Sequence, residues 1–154
     1  LYTISTLYHS LRGPAKSLFQ RLDYCAIYLL IAGSYTPFAL VTLRGPWGWA
    51  LFGINWALAA IGIAQELWIG RRTRLFSLLI YVVMGWLVLI AMEPLAAALP
   101  APGLWWVVAG GALYTAGIAF FLFDEKVRHF HGIWHLFVLA GSACQFVSIL
   151  LYVG

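Results

Sequence analysis

The chain has 154 residues, of which 64% are hydrophobic and 9% charged, and its mean hydropathy is +0.92. A soluble domain is roughly 45–50% apolar and about 25% charged, so this composition excludes one, and it equally excludes a polar, charge-rich disordered chain. The formal charge of +4 would suit a nucleic-acid binder, but nine basic residues in so apolar a chain read as topology determinants, and no nucleic-acid partner is expected.

Leu1–Leu11 is mostly apolar and stops at Arg12-Gly13-Pro14. It is long enough for only about half a bilayer core, and reads as the tail of a helix that starts earlier. Ser17–Arg21 follows as a polar connection. The first full span covers about 22–43, with Gly33 and Pro37 inside it and Arg44-Gly45-Pro46 closing it; such breakers are tolerated in membrane helices. The second covers about 47–69 and opens on the interfacial pair Trp47 and Trp49. After a basic turn, Gly70–Arg74, the third covers about 75–93 and ends at Glu93-Pro94. The fourth, about 104–123, again opens on a tryptophan pair, Trp105-Trp106. The charged turn Asp124–Arg128 leads into the fifth, about 130–153. No β alternation and no soluble domain interrupt the series. The expected architecture is all-α: one polytopic transmembrane helical bundle over residues 1–154, with five complete spans and a partial one.

Eight of the nine basic residues fall in alternate loops: Arg12, Lys16 and Arg21, then Arg71, Arg72 and Arg74, then Lys126 and Arg128. Only Arg44 lies on the other side. The positive-inside rule puts the eight in the cytoplasm and the C-terminus outside. Cys25 and Cys144 sit in apolar runs without a spacing motif and read as small apolar core residues.

Ionisable groups inside membrane spans are costly and usually functional. His9 ends the partial helix, Asp23 starts the next helix on the same side, and His131 and His135 open the last helix, which begins at that side too. Groups from three helices therefore share one shallow layer near the cytoplasmic face. His131 and His135 are i and i+4 and share a helix face, as do Ser5 and His9. Two imidazoles on one face and a third from a neighbouring helix match the three-ligand pattern of catalytic zinc, which leaves a fourth position open. Asp23 could orient a ligand or bond a water at that position; as a plain helix-start carboxylate it would be favoured by the macrodipole. Ser5 is either a neighbour of the site or a packing hydroxyl. His129 reads as a boundary residue, Glu66 as the partner of Arg71 or Arg72, and Glu93 as a residue of the outer interface.

The string Ser5-Thr6-Leu7-Tyr8-His9, Asp23 early in the next helix, and His131-Gly132-Ile133-Trp134-His135 in the last resemble the motifs S-x-x-x-H, Asp and H-x-x-x-H of the hemolysin III family. That family is the bacterial branch of the progestin and adiponectin receptor (PAQR) superfamily. The resemblance implies a seven-helix bundle with its N-terminus inside, of which the first helix and most of the second are absent from this chain. It implies a zinc site on His9, His131 and His135, with Ser5 and Asp23 at the family's serine and aspartate positions. It also implies the plasma membrane of a bacterium. The superfamily is similar to the alkaline ceramidases, which suggests zinc-dependent hydrolysis of a lipid amide or ester.

Two function classes follow. In a membrane hydrolase, Asp23 would accept a proton from water, Ser5 would bond the water or the developing oxyanion, and the substrate would be a membrane lipid or another amphipathic small molecule. In a non-enzymatic protein, a cytolysin or a receptor-like regulator, zinc would be structural and would need a fourth protein ligand, for which Asp23 is the candidate. A retinal protein is excluded, since Lys16 and Lys126 are both in loops. An ion-driven transporter is disfavoured because no chain of ionisable groups crosses the midplane.

Overall fold

The computed structural model describes residues 1–68 and 74–154. Among them there is no strand. The elements are α1 (Tyr2–Ser10), α2 (Pro14–Pro37) continued by a π turn (Phe38–Leu43), α3 (Gly45–Trp68), α4 (Arg74–Trp86), a 3₁₀ turn (Leu87–Ala91), α5 (Met92–Ala98), α6 (Ala101–Phe123) and α7 (Phe130–Tyr152). Five rods are long and apolar enough to cross a membrane: Pro14–Leu43, Gly45–Trp68, Arg74–Ala98, Ala101–Phe123 and Phe130–Tyr152. Their outer faces carry large apolar side chains that water would penalise; Ile90, Leu136 and Leu150 are each about two-thirds exposed. In lipid such a surface is the favourable one, and helices satisfy every backbone group internally. The chain is a multi-pass integral membrane protein with an all-α fold.

Two elements run further than the sequence pattern suggests. Ser17–Arg21, expected as a connection, is helical, because α2 starts at Pro14. Proline suits a helix's first position, where its missing N–H leaves no bond unmade. Asp23 therefore lies in the third turn of α2 rather than at its start, and the helix-terminus dipole is no reason for a carboxylate there. The third rod does not stop at Glu93-Pro94 either. Pro94 falls in the first turn of α5, which runs on to Ala98.

Irregular turns lie where side chains or proline disturb the ladder. Pro37 removes a donor, and the next six residues wind as the π turn. Arg44 (φ 48°) and Gly45 (φ 58°) then reverse the chain through the left-handed region. In the third rod the Tyr35 hydroxyl, from α2, accepts from Val88 N–H and donates to the Gly85 carbonyl. A side chain inserted into the ladder is a known cause of such a break, and here the helix tightens to 3₁₀ from Leu87.

The core consists of several clusters. Tyr28, Ala32, Ala59, Ile80 and Met84 join α2, α3 and α4. Phe38, Leu95, Leu99 and Val107 close the far end. The tightest seam is α6 against α7. Gly103, Gly110 and Gly117 recur every seven residues along α6, and a Cβ at Gly110 would lie 2.7 Å from Gln145 Nε2 and 3.0 Å from the Gly141 carbonyl. Small residues let two membrane helices approach closely enough for dispersion and side-chain bonds to hold them. Ser148 and Gln145 of α7 donate to the Gly103 and Val107 carbonyls across this seam.

Candidate metal centre

α1 lies antiparallel to the first half of α7. At one end the Tyr2 hydroxyl donates to Ser142 Oγ at 2.6 Å. Ser142 spends its own proton on the Val138 carbonyl, so Tyr114 donates to it as well. Seven residues on, His9 meets His131 and His135. Their Nε2 atoms are 3.3 Å apart for His9–His131, 3.4 Å for His9–His135 and 3.1 Å for His131–His135. The three nitrogens face one point, as a group that can hold a metal ion. The i, i+4 pair needs only the helix to form. His9 arrives from 122 residues away along the chain, and its position depends on the α1–α7 seam.

Asp23 and Ser5 lie beside the triad. Both are buried, at 7% exposure each. The Asp23 carboxylate interacts with the Ser5 hydroxyl and electrostatically with His9 and His131. Its Oδ1 is buried and has no hydrogen-bond partner. A buried orphan acceptor is costly unless water or a ligand satisfies it. Trp134 walls the other side, with its ring centroid 5.3 Å from that of His131 and 4.6 Å from that of His135. Beyond Trp134 a largely apolar cavity of about 340 Å³ runs between the helices, lined among others by Tyr35, Val82, Val88, Ile118 and Val138.

One carboxylate beside the triad escapes the sequence reading, which leaves Asp124 in a charged turn. Asp124 Oδ2 lies 2.7 Å from His131 Nδ1, and its Oδ1 pairs with Arg74 Nη2. Burial pushes its carboxyl up, but the hydrogen bonds from Arg74 and His131 outweigh that and hold it below the usual carboxylate range. The depth argument that picks out Asp23 applies equally to a carboxylate in the turn seven residues before His131, and that signal could have found it. Other residues fall elsewhere. Glu66 is buried and accepts from the Ser77 hydroxyl; Arg71 and Arg72, its expected partners, and most of the Gly70–Arg74 turn lie outside the described residues. His129 is exposed and caps α7 at φ 69°. Cys25 is buried, Cys144 half-buried, and both are free.

The family model described as Haemolysin-III related matches residues 1–146. The chain belongs to the hemolysin III family. It is 51% identical to Hemolysin-3 of Bacillus cereus over 154 residues, covering 99% of this chain and 70% of that protein. It is 44% identical to the Hemolysin-3 homolog of Bacillus subtilis (strain 168) over 153 residues, covering 99% of this chain and 71% of the relative. A more distant relative is the human Monocyte to macrophage differentiation factor, 29% identical over 161 residues, with 99% of this chain and 65% of the relative covered. No solved structure matches. For a hemolysin III family member, then, the S-x-x-x-H and H-x-x-x-H strings converge in space on one group of three imidazoles.

Proposed function

We propose that the protein is a zinc-dependent membrane hydrolase, acting near the cytoplasmic face on the amide or ester of an amphipathic lipid. The observation that carries this reading is the convergence of three imidazole Nε2 atoms beside a buried carboxylate oxygen without a partner. The centre of the nitrogen triangle lies roughly 1.9 Å from each corner, close to a zinc–imidazole bond of about 2.0–2.1 Å. Imidazole suits zinc better than calcium or magnesium. Three protein ligands leave a position for reactants, where a structural site would be closed.

When bound, zinc would supply Lewis acidity, polarising a carbonyl and acidifying water. The chain's own groups would do the rest. Asp23, through the oxygen that lacks a partner, would bond the attacking water and accept its proton. Ser5 would hold Asp23 in place or donate to the oxyanion that develops on the carbonyl. Trp134 and the apolar cavity behind it would receive the substrate's hydrocarbon portion, as apolar pockets with few polar groups do. By sequence, eight of the nine basic residues fall in or beside the chain reversals on the site's side of the bundle, which supports a cytoplasmic site and an outside C-terminus. The Bacillus relatives support residence in a bacterial plasma membrane.

The test begins with zinc content, by elemental mass spectrometry, of the full chain in detergent beside His9→Ala, His131→Ala and His135→Ala. About one zinc per chain is expected, and its loss in each variant, as for a three-ligand site. Amidase and esterase assays on long-chain lipid amides and esters follow. Asp23→Asn should retain zinc and lose about 10²–10⁴-fold in kcat. Zinc without turnover on any such lipid would replace the hydrolase with a non-enzymatic protein, and a folded wild type without zinc would remove the metal centre altogether.

A further inference from the structure

Asp124 is held from both sides. Its side chain is 6% exposed, with Arg74 on Oδ1 and His131 Nδ1 on Oδ2. Arg74 comes from the start of α4, and three of its five donors are engaged: Nη1 with Glu125, Nη2 with Asp124 and with the Phe121 carbonyl. Its guanidinium lies 3.9 Å over the Phe121 ring. Among the described residues no carboxylate hydrogen-bonds His9 or His135, so this support is specific to His131.

We propose that the Arg74–Asp124 pair sets the tautomer of His131, making Nε2 its ligating atom, with Asp124 and Arg74 as positioning residues of the metal centre. This rests on the metal-centre reading above. An ionised carboxylate only accepts hydrogen bonds. His131 Nδ1 must then carry the ring proton, which leaves Nε2 with a lone pair facing His9 and His135. A carboxylate behind a ligating imidazole also fixes ring orientation and raises ligand basicity. Arg74 has donors and no acceptor, so it dictates which face of residue 124 can point at His131.

A simple staple between α4 and the turn before α7 would have the same contacts but different consequences. In Asp124→Asn the shape is kept. Arg74 claims the single amide oxygen, and the amide NH₂ is left facing His131 Nδ1. His131 must then accept there and carry its proton on Nε2, where it blocks the ligand position. Adding Arg74→Gln removes this constraint, because glutamine can accept from the asparagine NH₂ while the asparagine oxygen turns back to His131. The tautomer role therefore predicts that the second substitution partly repairs the first. A staple predicts that it does not.

The experiment measures zinc affinity by competition with a chromogenic chelator, and the visible absorption of the cobalt(II) form, for the full chain in detergent. Asp124→Asn should lose about 10–100-fold in zinc affinity, the usual range for such outer partners. Asp124→Asn/Arg74→Gln should recover several-fold of that loss and regain the wild-type cobalt spectrum. Nitrogen-15 shifts of His131 in zinc-free wild type test the same point without any substitution, and should report Nδ1–H. An Nε2–H tautomer there, an unchanged affinity in Asp124→Asn, or a double variant no tighter than the single one would overturn the assignment. A wild type that takes up no zinc would instead overturn the metal-centre reading, and this inference with it.

Discussion

α7 has two different seams. Against α6 it is joined by what is missing: glycines at 103, 110, 117 and 141 leave no Cβ between the backbones, and a methyl at any of them would meet a heavy atom at 3.0 Å or less. Against α1 it is joined by polar groups, Tyr2 to Ser142 at one end and three histidines at the other. The first seam is satisfied within the protein. The second leaves three imidazole nitrogens facing each other, beside an α2 carboxylate oxygen, that of Asp23, with no donor. The difference separates stability from chemistry. Dispersion and small residues hold membrane helices together, while groups that the fold leaves unpaired mark where a ligand or reactant is expected.

The α6–α7 seam is most vulnerable at Gly110. Gly110→Leu forces a side chain into Gln145 and the Gly141 carbonyl. The expected destabilisation is on the order of 3 kcal/mol, read as a lower thermal midpoint in detergent with zinc absent. The matching change on the other seam, His9→Ala/His131→Ala/His135→Ala, should leave that zinc-free midpoint almost unmoved. What it should abolish is the response to zinc. Wild type at a free zinc concentration 100 times its Kd should gain about 2.7 kcal/mol, which a chelator removes, and the triple variant should gain nothing. A triple variant as unstable as Gly110→Leu would show the histidines to be packing groups.

Smaller effects sharpen the contrast. Ser148 is fully buried and donates to the Gly103 carbonyl across the α6–α7 seam; Ser148→Ala should cost about 1 kcal/mol and leave zinc binding alone. Leu150, on the same helix but 65% exposed, faces outward, and Leu150→Ala should stay within about 0.5 kcal/mol. Equal midpoints for these two variants would mean that the seam is no tighter than the lipid-facing side.

Much of this was legible in the chain. Five apolar runs, their charged turns and the i, i+4 spacing of His131 and His135 are local features. The depth argument groups His9 with that pair, and the structure puts its Nε2 3.3 and 3.4 Å from theirs. Helix ends were less legible: Pro14 and Pro94 act as helix starters in context, although each reads as a stop. Proximity in the chain pairs Glu66 with Arg71 or Arg72, which lie outside the described residues, and says nothing of Ser77, a helix away, whose hydroxyl donates to it. Asp124 was hidden because its partners, Arg74 and His131, lie 50 residues before it and 7 after it.

The sequence by itself determined that the chain crosses a membrane as helices, because a run of apolar residues in lipid must satisfy every backbone group within itself. It determined the i, i+4 histidine pair for the same reason, since a helix places those residues on one face wherever it is packed. The tertiary structure alone decided which groups meet across helices: His9 with the pair, Arg74 with Asp124, the Tyr35 hydroxyl with the ladder of the third rod. Those meetings depend on the rotation and register of each helix against its neighbours. Rotation and register are set by the fit of side chains and glycine gaps over whole seams, and no single stretch of sequence contains both sides of a seam.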